Sequence, residues 1–205
     1  NPAYFSNDYK DIQLSVFTGY TLPNGQPAFF GDFTNAGQGT VQGLEFEYQW
    51  LASDHFTLSG NLAWLDAQFD EYMFKGFNIA DQQEFTNAPD FSGAVNLEYR
   101  TPVGDMGELS ARMTYSYQSE VPATTEVTRD PVTGVVTNPI TQDGYGLLNA
   151  GVAWRFDDHW SLSLQGTNLT DKEFLTTGYV IPALGVRTGF YGNPRQYSLT
   201  LKYDF

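Results

Sequence analysis

The stretch Arg195-Gln196-Tyr197-Ser198-Leu199-Thr200-Leu201-Lys202-Tyr203-Asp204-Phe205 alternates apolar and polar residues without a break. In an extended strand successive side chains point to opposite sides. Tyr197, Leu199, Leu201, Tyr203 and Phe205 therefore share one face, and Gln196, Ser198, Thr200, Lys202 and Asp204 share the other. One face suits hydrocarbon and the other suits water. Working upstream, Trp160, Leu162 and Leu164 oppose Ser161, Ser163 and Gln165, while Leu148, Ala150, Val152, Trp154 and Phe156 oppose Asn149, Gly151, Ala153 and Arg155. Leu109, Ala111, Met113, Tyr115 and Tyr117 alternate with polar residues in the same way, as do Leu44, Phe46, Tyr48 and Trp50. Helical periodicity is nearly absent, so the pattern predicts an all-β antiparallel chain. About eight strands are expected, over 9–17, 39–51, 56–72, 91–102, 108–118, 144–156, 160–170 and 195–205.

The composition narrows the class. The 205 residues carry 10 Lys+Arg against 24 Asp+Glu, a net charge of -14, yet 16% are aromatic. A disordered acidic tail is poor in aromatics, so this chain is built to bury apolar surface. The mean hydropathy of -0.35 is ordinary, as expected when only every second residue meets lipid. Basic residues are scattered singly and offer no stripe to phosphates, which excludes nucleic acid as a partner. There is no cysteine, hence no disulfide framework, thiolate metal site or thiol nucleophile. No apolar run is long enough for a membrane helix, and Asn1-Pro2-Ala3-Tyr4-Phe5 does not read as a signal peptide. Asn1 is expected to be a cut inside a longer chain.

Alternation alone also suits a soluble β-sandwich binding module. Three features favour a transmembrane barrel. The strands exceed the ordinary globular length of about five or six residues and reach the roughly 9 to 11 that a tilted crossing needs. Short connections (52–55, 104–107, 157–159) alternate with long ones (18–34, 74–90, 119–143, 171–194), as periplasmic turns alternate with extracellular loops. Aromatics gather beside the short turns, at Trp50, Phe56, Tyr99, Phe156, Trp160, Tyr203 and Phe205, where a membrane-interface girdle belongs. A self-contained eight-stranded barrel with a structural or adhesive role is the alternative. Its interior must be filled by its own side chains, and the inward Gly151, Ala153, Ser161 and Ser163 are small.

Three motifs carry a family resemblance over essentially the whole chain. Asn35-Ala36-Gly37, continuing through Gly43-Leu44-Glu45-Phe46-Glu47, resembles the "N-x-G, then G-[VL]-E-x-E" strand of TonB-dependent outer-membrane receptors. Asn168-Leu169-Thr170-Asp171-Lys172-Glu173-Phe174 is similar to their "N-L-[TF]-D-K-x-[YF]" element, and Gly192-Asn193-Pro194-Arg195-Gln196-Tyr197 through Phe205 resembles their closing strand. The resemblance implies the C-terminal strands of a 22-stranded barrel in the bacterial outer membrane, with residues 1–205 forming wall and extracellular loops. It implies a receptor for energised uptake of a scarce nutrient, such as a siderophore or other metal chelate, cobalamin or a glycan. The implied partners are outer-membrane lipid, the rest of the barrel, a plug domain, TonB acting through that plug, and the barrel-assembly machinery reading Phe205. Neither plug nor TonB box lies in this sequence, and Pro194 stands where a strand begins pairing.

Candidate sites follow from this frame. His55 and His159 fall in expected periplasmic turns, away from any substrate face, so no catalytic residues and no enzyme are expected. Glu45, Glu47, Glu98 and Asp11 are expected inward with Arg100, Arg112 and Arg155, as a plug-holding set or, more simply, a wetted lumen wall. Ligand contact is assigned to the long loops: Tyr72, Phe74, Lys75 and Phe77 in one, Arg129 with Asp130 in another, and Tyr179, Arg187, Phe190 and Tyr191 in the last. Aromatics beside single cations can stack on or clasp a ring-bearing or anionic ligand. Asp70, Glu71, Asp81 and Glu84 could together hold a hard cation such as calcium, but their spacing matches no EF-hand loop, and no metal or cofactor is expected.

Overall fold

The computed structural model describes residues 1–74, 76–156, 159–181 and 184–205, without the side chains of 15–18, 32, 34 and 36. The wall strands are β1 (Pro2–Thr21), β2 (Pro27–Leu51) and β3 (Phe56–Phe74). Beyond them β4 (Phe77–Asn78) folds back on the end of β3, and β5 (Phe91–Pro102) and β6 (Glu108–Gln118) continue the wall. Short pairs β7 (Val121–Pro122) with β10 (Thr141–Gln142), and β8 (Thr128–Arg129) with β9 (Val136–Thr137), fill the next loop. Then come β11 (Tyr145–Arg155), β12 (Trp160–Thr167), the hairpin β13 (Leu175–Ile181) and β14 (Val186–Tyr191), and β15 (Gln196–Tyr203). The eight long strands pair in the order β1-β2-β3-β5-β6-β11-β12-β15, each antiparallel to its neighbours. Among the described residues β1 pairs only β2, and β15 only β12. Among these residues the sheet does not close on itself.

Register settles the faces. Row by row, Tyr203 pairs Trp160, Leu201 pairs Leu162, Leu199 pairs Leu164 and Tyr197 pairs Gly166, and the same apolar face continues through Trp154, Val152, Met113, Leu97, Leu58 and Phe46. Most of these side chains, Leu199, Leu201, Leu164, Val152, Met113 and Phe46 among them, are exposed, because the surface that covers them is lipid rather than protein. No helix among the described residues is long and apolar enough to cross a membrane. Glu45, Asn61, Glu98, Asn96, Arg112 and Gln165 occupy the opposite, lumen-facing rows.

At the short turns the aromatics and histidines form matching clusters. Tyr99 packs on Phe56 at 4.6 Å while His55 Nδ1 bonds the Arg100 carbonyl at 2.8 Å. Tyr203 packs on Trp160 at 4.8 Å while His159 Nδ1 bonds the Asp204 carbonyl at 2.9 Å. The last of the three expected turns includes residues 157 and 158, which lie outside the described residues.

Several sequence expectations need correction. β1 begins at Pro2 and runs to Thr21, and β2 begins at Pro27, so the expected loop over 18–34 is a tight turn at the tip of a tall hairpin. There Leu22 N–H donates to the Gln26 carbonyl at 2.9 Å. The alternation that marks a strand is lost because the register shifts at Ile12, Asp11 is left-handed at φ 55, and Gly37 sits at φ 121. A bulge swaps the faces, so a period-2 reading ends although the strand continues. Asp11 is consequently not inward: Ile12 and Leu14 pack inward, while Asp11 accepts from Asn35 Nδ2 at 3.2 Å on the other side. β12 stops at Thr167 rather than 170, and the loop over 171–194 holds the β13–β14 hairpin.

Candidate functional site

The extracellular end is assembled around a small apolar core of Phe69, Tyr72, Ile79 and Val127, with Phe85 stacked on Phe69 at 4.0 Å. Tyr72 is only 3% exposed and meets Phe69 edge-on at 4.9 Å. Burial, and then the Glu126 carboxylate, push its phenol above the ordinary tyrosine range. Tyr72 and Phe74 are the end of β3, not loop, and Phe74 lines the same core. Lys75 lies outside the described residues.

What the structure does bring together is Phe77 and Arg129, assigned above to two different loops. The Arg129 guanidinium lies 4.1 Å from the centre of the Phe77 ring, with Phe77 51% exposed. A cation over an aromatic face is attracted by the ring's quadrupole, by about 0.5 to 1 kcal/mol at an exposed site. Asp130 next door holds the turn that presents Arg129: its carboxylate accepts the N–H groups of Val132 and Thr133, each at 2.7 Å. Those backbone bonds, Thr133's first, hold its carboxyl below the usual range. Gln82 Oε1 accepts Val136 N–H at 3.1 Å and ties this hairpin to the short helical turn Ala80–Gln82. Gln82 was missed from sequence, having no pattern around it that marks it out.

The third group divides. Val180 pairs Arg187 and Tyr179 pairs Thr188, so Arg187 and Tyr191 share one face of the β13–β14 hairpin. Tyr179 lies on the other, its ring 5.8 Å from Phe190. Asp70, Asp81 and Glu84 line one hollow of about 660 Å³, but among the described residues no group of three or more acidic or histidine side chains is placed to hold a metal.

The motif residues meet in two clasps. Asn168, 4% exposed and left-handed at φ 48, donates through Nδ2 to the carbonyls of Lys172 at 2.9 Å and Asn193 at 3.1 Å, and its Oδ1 accepts Lys172 N–H at 2.8 Å. Asp171 accepts Arg195 N–H at 2.9 Å and lies 3.6 Å from its guanidinium. Leu169 N–H donates to the Leu148 carbonyl at 2.7 Å. Pro194 sits just before β15, where its missing N–H costs no ladder bond. In the second clasp, Gly37 N–H donates to Asn35 Oδ1 at 3.1 Å, and a Cβ on Gly37 would lie 2.3 Å from the Glu71 carbonyl oxygen. Gly43 is covered by the ring of Phe5, 2.9 Å from where a Cβ would be. Phe205 is fully exposed and meets Tyr203 edge-on at 5.0 Å.

On the lumen face Glu98 pairs with both Arg100 and Arg112, the latter at 3.3 Å, and Arg155 lies 3.5 Å from Glu108. Glu45 and Glu47 make no salt bridge among the described residues.

A twisted antiparallel wall, lipid-facing on one side and polar on the other, with tight turns at one end and a loop cluster at the other, defines an outer-membrane barrel wall. Residues 2–169 match the family described as TonB dependent receptor-like, beta-barrel, and the chain belongs to that family. It is 39% identical over 74 residues to the ferric-pyoverdine M114 receptor PbuA of Pseudomonas sp. (strain M114), a match covering 34% of this chain and 8% of that protein. All of the chain superposes on 27% of the ferric yersiniabactin uptake receptor FyuA of Yersinia pestis, with a TM-score of 0.74 and 17% identity. It likewise covers 24% of the ferripyoverdine receptor of the outer membrane of Pseudomonas aeruginosa, with a TM-score of 0.62 and 15% identity. The chain thus spans about a quarter of the length of these solved receptors. The family consists of transport receptors of the outer membrane that work with TonB, and this wall lies in that membrane.

Proposed function

We propose that this chain is the C-terminal part of the wall and extracellular surface of a receptor for energised uptake of a ferric chelate, acting as a transporter and not as an enzyme. The family match over 2–169 carries the reading, and the named ligands of its relatives supply the substrate class. Arg129 over the exposed Phe77 offers a cation and a ring to an anionic, ring-bearing chelate, with Arg187 and Tyr191 on the neighbouring hairpin as further contacts. The inward Glu45 and Glu47 are offered to a plug domain in the lumen, through which TonB acts, and Phe205 is offered to the barrel-assembly machinery. Uptake of radiolabelled ferric pyoverdines by cells expressing the full receptor tests the proposal. Uptake is expected to require both the receptor and TonB and to fall at least tenfold in affinity in Arg129→Ala. Uptake that persists without TonB, or without the receptor, would overturn it.

A further inference from the structure

The lipid-facing surface is not uniformly bulky. Across three successive wall strands the outward positions are small: Ala111 on β6, Ala150 on β11 and Gly166 on β12, with Ala150 paired to Gly166. They floor a trough of about 380 Å³. Leu97 and Met113 wall it on one side and Val152 and Leu164 on the other, all at least a third exposed. At its extracellular end Leu169 and Tyr197 close over Gly166: a Cβ there would lie 2.5 Å from Leu169 Cδ2 and 3.2 Å from the Tyr197 ring. Arg112 borders the trough only through its backbone side, since its guanidinium pairs with Glu98 on the lumen face. The floor is one side chain wide, with Leu148 and Val152 standing before and after Ala150 on the same strand. A helix, about 10 Å across with its side chains, is too broad to seat there, whereas a polymethylene chain is not.

We propose that this trough holds one acyl chain of an outer-leaflet lipid bearing phosphate on its headgroup. The trough lies within the apolar band, so its occupant is hydrocarbon. Its extracellular end abuts the Asn168 clasp, where the Arg195 side chain remains 43% exposed although Asp171 takes one edge of it and the Leu169 carbonyl another, and where Lys172 is exposed. Arg195 stands two residues before Tyr197, beyond the end of the trough, where the phosphate of a lipid seated in it would lie. The leaflet follows from that end of the trough.

The full receptor, purified from outer membranes in mild detergent, is tested by native mass spectrometry for retained lipid. Wild type is expected to keep a phosphate-bearing lipid that the double variant Ala111→Leu/Ala150→Leu loses at least tenfold, while Leu201→Ala, elsewhere on the band, keeps it. Equal retention of phosphate-bearing lipid in all three overturns the proposal, as does loss of a phosphate-free lipid or of a co-purifying polypeptide instead. In a full receptor whose other cysteines, if any, are replaced by serine, Ala150→Cys supplies a second measurement that does not depend on filling the trough. Its labelling by a membrane-permeant maleimide is expected to be at least tenfold slower in vesicles of phosphate-bearing lipid than in vesicles of phosphate-free neutral lipid. Equal rates overturn the proposal.

Discussion

Removing the Asn168 side chain should open the extracellular end of the β12–β15 seam without unfolding the wall. Three hydrogen bonds depend on that carboxamide, at 2.8, 2.9 and 3.1 Å. A buried neutral hydrogen bond contributes about 1 kcal/mol net, so Asn168→Gly, which tolerates the left-handed backbone, should cost about 3 kcal/mol. Asn168→Ala adds the penalty of a Cβ at φ 48, about 1 kcal/mol more, for about 4 kcal/mol in all. At about 1.4 kcal/mol per factor of ten, local opening should become about 100-fold more frequent in the glycine variant and about 1000-fold in the alanine variant. Amide hydrogen exchange of the full receptor, read on peptides covering 168–175 and 192–198, reports it. The amides of Lys172 and Arg195 are the direct reporters, since they donate to Asn168 and Asp171. Exchange in Asn168→Ala within threefold of wild type over both peptides would refute the reasoning. So would a glycine variant as damaged as the alanine one, which would remove the backbone contribution.

Leu199→Arg, on the lipid face of β15, should lower barrel stability by about 2 to 4 kcal/mol in vesicle refolding, while Thr200→Arg, facing the lumen, should leave it nearly unchanged; equal effects would reverse the assignment of faces. Gly37→Ala should cost at least about 2 kcal/mol, from its backbone strain and the 2.3 Å approach to the Glu71 carbonyl. Gly25→Ala, with φ 82 but no atom within 4 Å, should cost about 1 kcal/mol, the difference being read from denaturation midpoints. Because the carboxyl of Asp130 is held below its ordinary range when folded, its support of the β8–β9 turn is present above that range and lost as pH falls through the lowered value. Protease cleavage within 130–135 should therefore rise in acid in wild type and be insensitive to that change in Asp130→Ala. Trp154→Phe removes the indole bond to the Met106 carbonyl at 2.8 Å and should cost about 1 kcal/mol, measurable in the same refolding assay.

The wall was legible from sequence because lipid and lumen impose one residue type on each side of every strand. The expected strands over 91–102 and 108–118 coincide with β5 and β6, since no bulge interrupts their alternation. The reading failed where that constraint lapses. Above the membrane both faces of a strand may be polar or aromatic, and the bulges at Ile12 and Gly39 exchange the faces. Strands there look like loop. The meeting of Phe77 with Arg129 was not legible at all, because it depends on how two loops separated by more than 50 residues pack over Ile79 and Val127. Tyr72, expected in a loop, lies instead near the end of β3, where a ring is also what a small core needs.

The two glycine- and asparagine-bearing motifs can be understood from the same boundary. Asn35 and Asn168 both stand where the wall's alternation ends, and each uses its side-chain oxygen to hold a backbone N–H at a left-handed residue or next to one. An asparagine suits that task because it tolerates positive φ and bonds its own backbone locally. Neither needs to touch a ligand. Each converts a membrane-spanning strand, whose side chains are dictated by lipid and lumen, into a segment whose side chains are not so dictated. The residues that neither lipid nor lumen dictates therefore lie beyond these clasps, on the tall β1–β2 hairpin, the Phe77 and Arg129 contact and the β13–β14 hairpin. A search for ligand specificity should begin there and not in the motifs that mark the family.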